Sequence, residues 1–343
     1  MKSKPLILAI DTSCDDTAAA VTQGTRILSN IVASQTELHK QYGGVFPTVA
    51  KLAHRENIGP VVDFALRKAG VTAKQLDALA VTQGPGLAPA LEVGIKTAIE
   101  LSEKWQLPLL PINHLEGHLL SVLAQPKTKS QPIQPKLLAL GVIVSGGHTE
   151  FVLVKKIGQY QVLGQTMDDA AGECLDKIGR MLNLGYPAGP VIEQFAKHGN
   201  PLAIEFPLPL TQIKSYDLSF SGLKTYARNK LEAIRTDHQL SKQETYDFCA
   251  SIQYAVFKHI QYKLNKLLEN VEIEEVWLGG GVAANINLRV SLRVALKSYK
   301  LKLRVPYSKK LCADNAAMIG IAAGFKPLRK SNKKIERQPR LEL

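Results

Sequence analysis

Leu6-Ile7-Leu8-Ala9-Ile10, then Asp11-Thr12-Ser13-Cys14-Asp15-Asp16, then Thr17-Ala18-Ala19-Ala20-Val21-Thr22, decide the fold of this chain. An apolar run enters a short polar turn and leaves it as a second apolar run. A Gln23-Gly24 turn follows, then Arg26–Ala33. The segment reads as strand, turn, strand, turn, strand. The same order returns downstream. Leu137–Val144 meets Ser145-Gly146-Gly147-His148, then Thr149–Lys155, a turn at Gly158, and Tyr160–Leu163.

A second element repeats as well. Leu76–Thr82 runs into Gly84-Pro85-Gly86 and a helix at Leu91–Trp105, and Glu275–Leu278 runs into Gly279-Gly280-Gly281 and a helix at Asn285–Lys297. Two halves with the same order of parts predict an internal duplication. The expected fold is α/β, with two duplicated lobes of mixed sheet. The first lobe spans 1–125, residues 126–136 form a Pro-bearing linker, and the second lobe spans 137–323. A helical insertion at about 165–270 holds helices at 168–182, 190–197 and 242–269. The basic tail 324–343 is too poor in apolar residues for a core of its own and is expected to pack back on the first lobe. In the first lobe a helix is expected near Val49–Lys68, closed by Gly70.

The bulk numbers fit a soluble protein. In 343 residues, 45% are apolar and 21% charged, enough for two cores without disulfides. Cys14, Cys174, Cys249 and Cys312 are scattered, which predicts reduced thiols and a cytoplasmic setting. No run approaches the roughly 18 apolar residues of a membrane span. Residues 287–340 hold fifteen Lys and Arg against Asp314 and Glu336, which accounts for the whole net charge of +13. A basic end on a neutral body points to a polyanion partner, with a solvated surface as the alternative.

Two features carry chemistry. The turns at Asp11 and Ser145 are rich in Gly, Ser, Thr and Asp, so backbone N–H groups there suit phosphate oxygens. In Asn113-His114-Leu115-Glu116-Gly117-His118 the two histidines share one helix face, which is half of a metal site. His259 lies beside the apolar stripe of the long helix and reads as a bystander.

The paired turns in a duplicated frame resemble the actin, Hsp70 and sugar-kinase class, two RNase H-like (actin-like ATPase) lobes around a nucleotide. More specific are Asp11–Thr17, His39–Pro47, Gly84–Leu87, His114–His118, Val144–Thr149, Asp168–Glu173, Ser219–Thr225, Gly280–Asn285 and Cys312–Asn315. In this order they resemble the signatures of the TsaD family, the tRNA N6-adenosine threonylcarbamoyltransferases once called glycoprotein endopeptidases.

The resemblance implies one divalent metal per subunit between the lobes, on His114, His118 and Asp314. Two imidazoles and a carboxylate suit Fe(II), which is favoured, with Zn(II) the alternative. Read alone, Asp314 is the N-cap of a helix at 315–323. The resemblance also implies nucleotide contacts at Val144, Ser145, Gly146, Gly147, His148, Asp176, Gly189, Glu193 and Asn285. Asp11, where the family usually has Glu, is expected to order water or phosphate. The implied reaction moves a threonylcarbamoyl group from threonylcarbamoyl-AMP to the exocyclic amine of the adenosine just 3′ of the anticodon. The tRNAs concerned read codons beginning with A, and AMP is released. Implied partners are tRNA and, in bacteria, a smaller TsaB-like paralogue and a TsaE-like ATPase. Lys330, Lys333 and Lys334 are candidate tRNA contacts. Ile286, Ala188 and Ala316 depart from the family pattern.

Three rivals make different demands. A zinc peptidase of the H-E-x-x-H type needs Glu directly after the first histidine, whereas Glu116 lies two residues on, about 200° around a helix. A small-molecule kinase or ATPase of the same fold class holds Mg through carboxylates and seldom uses histidine. A non-catalytic paralogue would lack the histidine pair.

Overall fold

In the computed structural model, which describes residues 4–129, 133–328 and 335–343, the chain forms two compact units. The first contains 1–135 and 305–343, the second 136–304.

In the first unit, β1 (Leu6–Asp11), β2 (Asp16–Gln23) and β3 (Arg26–Ser34) form an antiparallel meander. The short α1 (Thr36–Lys40) and the long α2 (Pro47–Ala69) follow, the latter closed by Gly70 at φ 72°. Then come β4 (Ala78–Gly84), α3 (Ala88–Trp105), β5 (Leu109–Asn113), α4 (His114–Leu120) and β6 (Gln125–Pro126). The sheet order is β5-β4-β1-β2-β3-β6, with β1, β4 and β5 parallel. Ile7, Leu8, Ala9 and Ile10 are all fully buried. This explains why β1 reads as a continuous apolar run and not as an alternation.

The second unit contains β7 (Ala139–Val144), β8 (Thr149–Lys156) and β9 (Gln159–Gln165). Its helices α5 (Ala171–Met181), α6 (Gly189–Phe195), α7 (Ser221–Asp237) and α8 (Lys242–Leu268) form the insertion. β10 (Glu275–Gly279), α9 (Ile286–Lys297) and β11 (Lys302–Arg304) complete it. The sheet order is β11-β10-β7-β8-β9, and its parallel and antiparallel neighbours match those of β5-β4-β1-β2-β3 in the first unit. The predicted repeat is therefore a repeat of topology.

Two boundaries differ from the sequence reading. Residues 305–323 were expected in the second lobe, but they belong to the first unit. The reason is α10 (Ala316–Ala323), all eight of whose residues are buried. A helix apolar on every side must be enclosed, and α10 is enclosed by β1, β2, β3 and α4. The helix expected from Asp168 begins only at Ala171, because Asp168 serves another element. Its Oδ1 accepts the N–H groups of Phe220 and Ser221, and its Oδ2 accepts the hydroxyls of Ser219 and Ser221, at the start of α7. Asp169 in turn pairs with Lys177 and Lys224. The Asp168-Asp169 and Ser219–Thr225 motifs thus hold each other inside the insertion.

Among the described residues all four cysteines are free, and no helix is long and apolar enough to cross a membrane.

Candidate metal centre and nucleotide-binding loops

Asn113 ends β5 and caps α4: its side-chain oxygen accepts the N–H groups of Leu115 and Glu116. The cap starts the helix at His114, so His114 and His118 stand one turn apart with ring centroids 4.6 Å from each other. Asp314 reaches the pair from the turn before α10. The cap of α10 is Asn315, whose oxygen accepts the Met318 N–H. Asp314 is therefore not spent as the helix cap that a local reading assigns to it. Gly117 permits the approach of α4 to α10. A Cβ there would lie 3.0 Å from Ile319 Cδ1 and 3.2 Å from Met318 Cγ.

The ligand atoms of His114, His118 and Asp314 all lie within 4.8 Å of one another. His118 Nε2 is 3.1 Å and His114 Nε2 3.4 Å from Asp314 Oδ1. The His118 contact lacks hydrogen-bond alignment, and neither ring nitrogen of this fully buried residue has a hydrogen-bond partner among the described residues. Orphaned imidazole nitrogens at this depth are costly unless a further group satisfies them. Two imidazoles and a carboxylate converging on one point fit a divalent cation. The Asp314 side chain keeps 28% exposure, so the group is open to solvent on that side.

The electrostatics agree with this fit. Burial works against a charged His114, but the Asp314 and Asp11 carboxylates outweigh it and push the imidazole up to about 10. Burial keeps His118 below its ordinary value. Burial would raise Asp314, yet His114 and His118 hold it well below the usual carboxylate range. The Asp314 carboxylate thus favours a cation beside the two imidazoles, and a proton and a metal ion would compete for the same nitrogens.

Asp11 lies at the buried end of β1. It is 1% exposed, and its Oδ1 accepts the Thr82 hydroxyl at 2.7 Å and the Ser13 N–H at 3.2 Å. The same oxygen is 3.8 Å from His114 Nδ1. It therefore stands on the Nδ1 side of the His114 ring, beyond hydrogen-bond distance, and that nitrogen has no hydrogen-bond partner among the described residues. Glu116 is also buried and pairs with Lys326 at 2.9 Å.

In the second unit the predicted nucleotide residues form one connected system. Val144 ends β7, and the Ser145 N–H donates to the His148 carbonyl at 2.8 Å. Gly146 and Gly147 are exposed at the tip of this loop, with open space where a Cβ would stand. The Ser145 carbonyl accepts the Gly172 N–H of α5. Further along α5, Asp176 Oδ1 accepts the N–H groups of Ala188 and Gly189 at 2.8 and 2.9 Å and so caps α6. Glu193 Oε1 of α6 accepts the Ile286 N–H. Asn285 caps α9 through its oxygen and donates from Nδ2 to Gln253 at 2.7 Å. The departure at Ala188 is accommodated, since its methyl sits over Gly179, which has none. The capping roles of Asn113 and Asn315 and the contact of Gln253 are not evident in the sequence reading; an Asn directly before an apolar helical run is the signal for the two caps.

Lys330, Lys333 and Lys334 lie outside the described residues. Elsewhere in the basic segment, Arg304 is bound to Glu275, Lys326 to Glu116 and Arg337 to Glu92. Arg293, Lys297, Lys300, Lys302, Lys309 and Lys310 are exposed.

Duplicated sheets of this order define the actin-like and sugar-kinase class. Solved structures agree on the fold. Component A of (R)-2-hydroxyglutaryl-CoA dehydratase from Acidaminococcus fermentans matches at TM-score 0.53 and 13% identity, over 93% of this chain and 99% of that one. HypF from T. kodakarensis matches at TM-score 0.59 and 16% identity, over 94% of this chain and 48% of that one. The family profile of TsaD, tRNA N6-adenosine threonylcarbamoyltransferase, matches residues 26–321. Relatives of that description include one from Trichlorobacter lovleyi, 43% identical over 92% of this chain and 90% of its own length. Another, from Cyanothece sp., is 45% identical over 92% and 90%. The chain belongs to the TsaD family.

Proposed function

We propose that this chain transfers a threonylcarbamoyl group from threonylcarbamoyl-AMP to the exocyclic amine of the adenosine just 3′ of the tRNA anticodon, releasing AMP. Family membership carries the activity. The observation that carries the site is the convergence of His114, His118 and Asp314 around orphaned imidazole nitrogens.

The amine nitrogen attacks the carbonyl carbon of the donor, the bond from that carbon to the phosphate oxygen breaks, and the amine loses one proton. Delocalisation into the adenine ring makes the amine a weak nucleophile, so an activated mixed anhydride and a good leaving group are needed. His114, His118 and Asp314 hold a divalent ion, Fe(II) in preference to Zn(II). When bound, the ion supplies positive charge for the donor's phosphate oxygens. Asp11, held by the Thr82 hydroxyl, sets a carboxylate on the Nδ1 side of His114. Gly146 and Gly147 offer backbone N–H groups to the anionic phosphate, and Ser145 and His148 keep that loop closed on itself. Asp176 and Glu193 bring carboxylates to the nucleotide, Asp176 toward the ribose hydroxyls, while their bonds to Gly189 and Ile286 and the Asn285 cap tie the surrounding helix termini together. The setting is the cytoplasm, with TsaB-like and TsaE-like helpers in a bacterial system.

The test incubates the protein with tRNA and threonylcarbamoyl-AMP, with and without divalent metal and candidate helpers, and reads nucleosides by mass. Modified adenosine with matching AMP is expected. Turnover of ATP with sugars and no tRNA product would favour the kinase reading instead. Metal analysis after anaerobic purification decides between iron and zinc.

A further inference from the structure

The segment from Glu336 to Glu342 lies along the turn between β4 and α3 and reaches the end of β5, directly before His114. Its Gln338 N–H donates to the Gln83 carbonyl at 2.8 Å, and the Gly86 N–H donates to the Pro339 carbonyl at 3.2 Å. Gln83 Nε2 donates to the Glu336 carbonyl, and Arg337 pairs with Glu92 of α3 at 3.0 Å. Gly84 leaves room for this path, since a methyl group there would overlap the Gln338 carbonyl. At its far end the Glu342 carbonyl accepts Asn113 Nδ2 at 2.8 Å.

That last bond matters because of what Asn113 does. Its amide plane is held at both ends, with the oxygen on the first turn of α4 and the nitrogen on the 336–342 segment. Asn113 is the residue directly before His114. An amide free to rotate caps a helix end loosely. One pinned at its nitrogen fixes where the helix begins, and with it the facing of both imidazoles. Ligand geometry at a metal site depends on supports of this kind.

We infer that residues 336–342 are a positioning strap for the metal centre, acting through the Asn113 amide. The inference rests on the metal reading above. Asn113→Ser keeps a side-chain oxygen for the cap and loses the nitrogen that reaches the strap. A chain ending after Arg340 removes the Glu342 carbonyl and leaves the cap untouched. Gly84→Ala displaces the strap from the β4 side without contacting α4.

The test is Co(II) titration of the metal-free protein, followed by visible absorption, with thermal unfolding of the metal-free forms as the control. Each variant is expected to weaken Co(II) binding by about tenfold and to alter the ligand-field bands. The Asn113→Ser chain ending after Arg340 is expected to bind no worse than either single variant, because both remove one bond. Co(II) binding by the shortened chain within twofold of the full chain would overturn the inference, as would a double variant whose loss is the product of the two. A full chain that binds no Co(II) would overturn the metal reading itself, a result distinct from either.

Discussion

Gly117→Ala sets two effects of known size against each other. Gly117 lies inside α4, where alanine is favoured over glycine by about 0.5–1 kcal/mol. Against that gain stands the packing on α10. The new methyl would meet Ile319 Cδ1 at 3.0 Å and Met318 Cγ at 3.2 Å. Both distances are a few tenths of an ångström short of ordinary contact, and Ile319 and Met318 are 0% and 1% exposed, so neither side chain has solvent to move into. Overpacking of a closed core costs about 1–3 kcal/mol. The net expectation is a loss of about 1 kcal/mol, and Gly117→Val, with two further methyl groups, should lose more. Relief comes most readily from displacing α10, which carries Asp314 away from His118. Urea unfolding would give the stability change, and Co(II) titration the change in metal affinity. A variant more stable than the parent, with metal affinity unchanged, would refute the packing argument.

Asp314→Asn and His118→Ala should each abolish stoichiometric metal binding, measured by elemental analysis of the purified protein, and should stop tRNA modification. His259 is fully buried; burial pushes it down to about 4, and its Nε2 accepts the Ser219 N–H at 3.2 Å. Its folded value lies below the unfolded one, so its contribution is complete above about pH 6.5 and is lost as the pH falls toward 4, by about 3 kcal/mol in all. His259→Gln should flatten that part of the stability–pH curve in urea titrations; an unchanged curve would refute it. Neutralising Lys330, Lys333 and Lys334 should reduce the slope of log affinity for tRNA against log salt by about 0.7–0.9 for each phosphate left without its cation. An unchanged slope would make these lysines plain surface.

The parts legible in the sequence are those whose pattern is local. The meander from Leu6 to Ser34 shows as apolar runs cut by Gly and Asp turns, and α8 shows as a sustained helical stripe. α7 was not read, because only Leu223, Ala227 and Leu231 are buried in an otherwise polar segment. β5 carries Pro111 and β11 has only three residues, so neither gives a periodic signal. The membership of α10 was not legible, because sequence order places it after β11 while packing places it against β1. At the site, the i, i+4 spacing revealed His114 and His118 directly, whereas Asp314 depended on family resemblance. The burial of Asp11 behind His114 depends on how β1, β4 and α4 meet, which no local pattern records.

The chain leaves its first unit at Pro135 and returns to it only at Val305. A ribosome therefore finishes the whole second unit before it releases α10. His118 and Asp314 are separated by about 200 residues, which at the usual 5–20 residues per second is an interval of about 10–40 s. Throughout that interval β1 has no α10 to cover it and the histidine pair lacks Asp314. A nascent chain can fold its later unit first, but His114, His118 and Asp314 can come together only near the end of synthesis, when α10 closes the sheet.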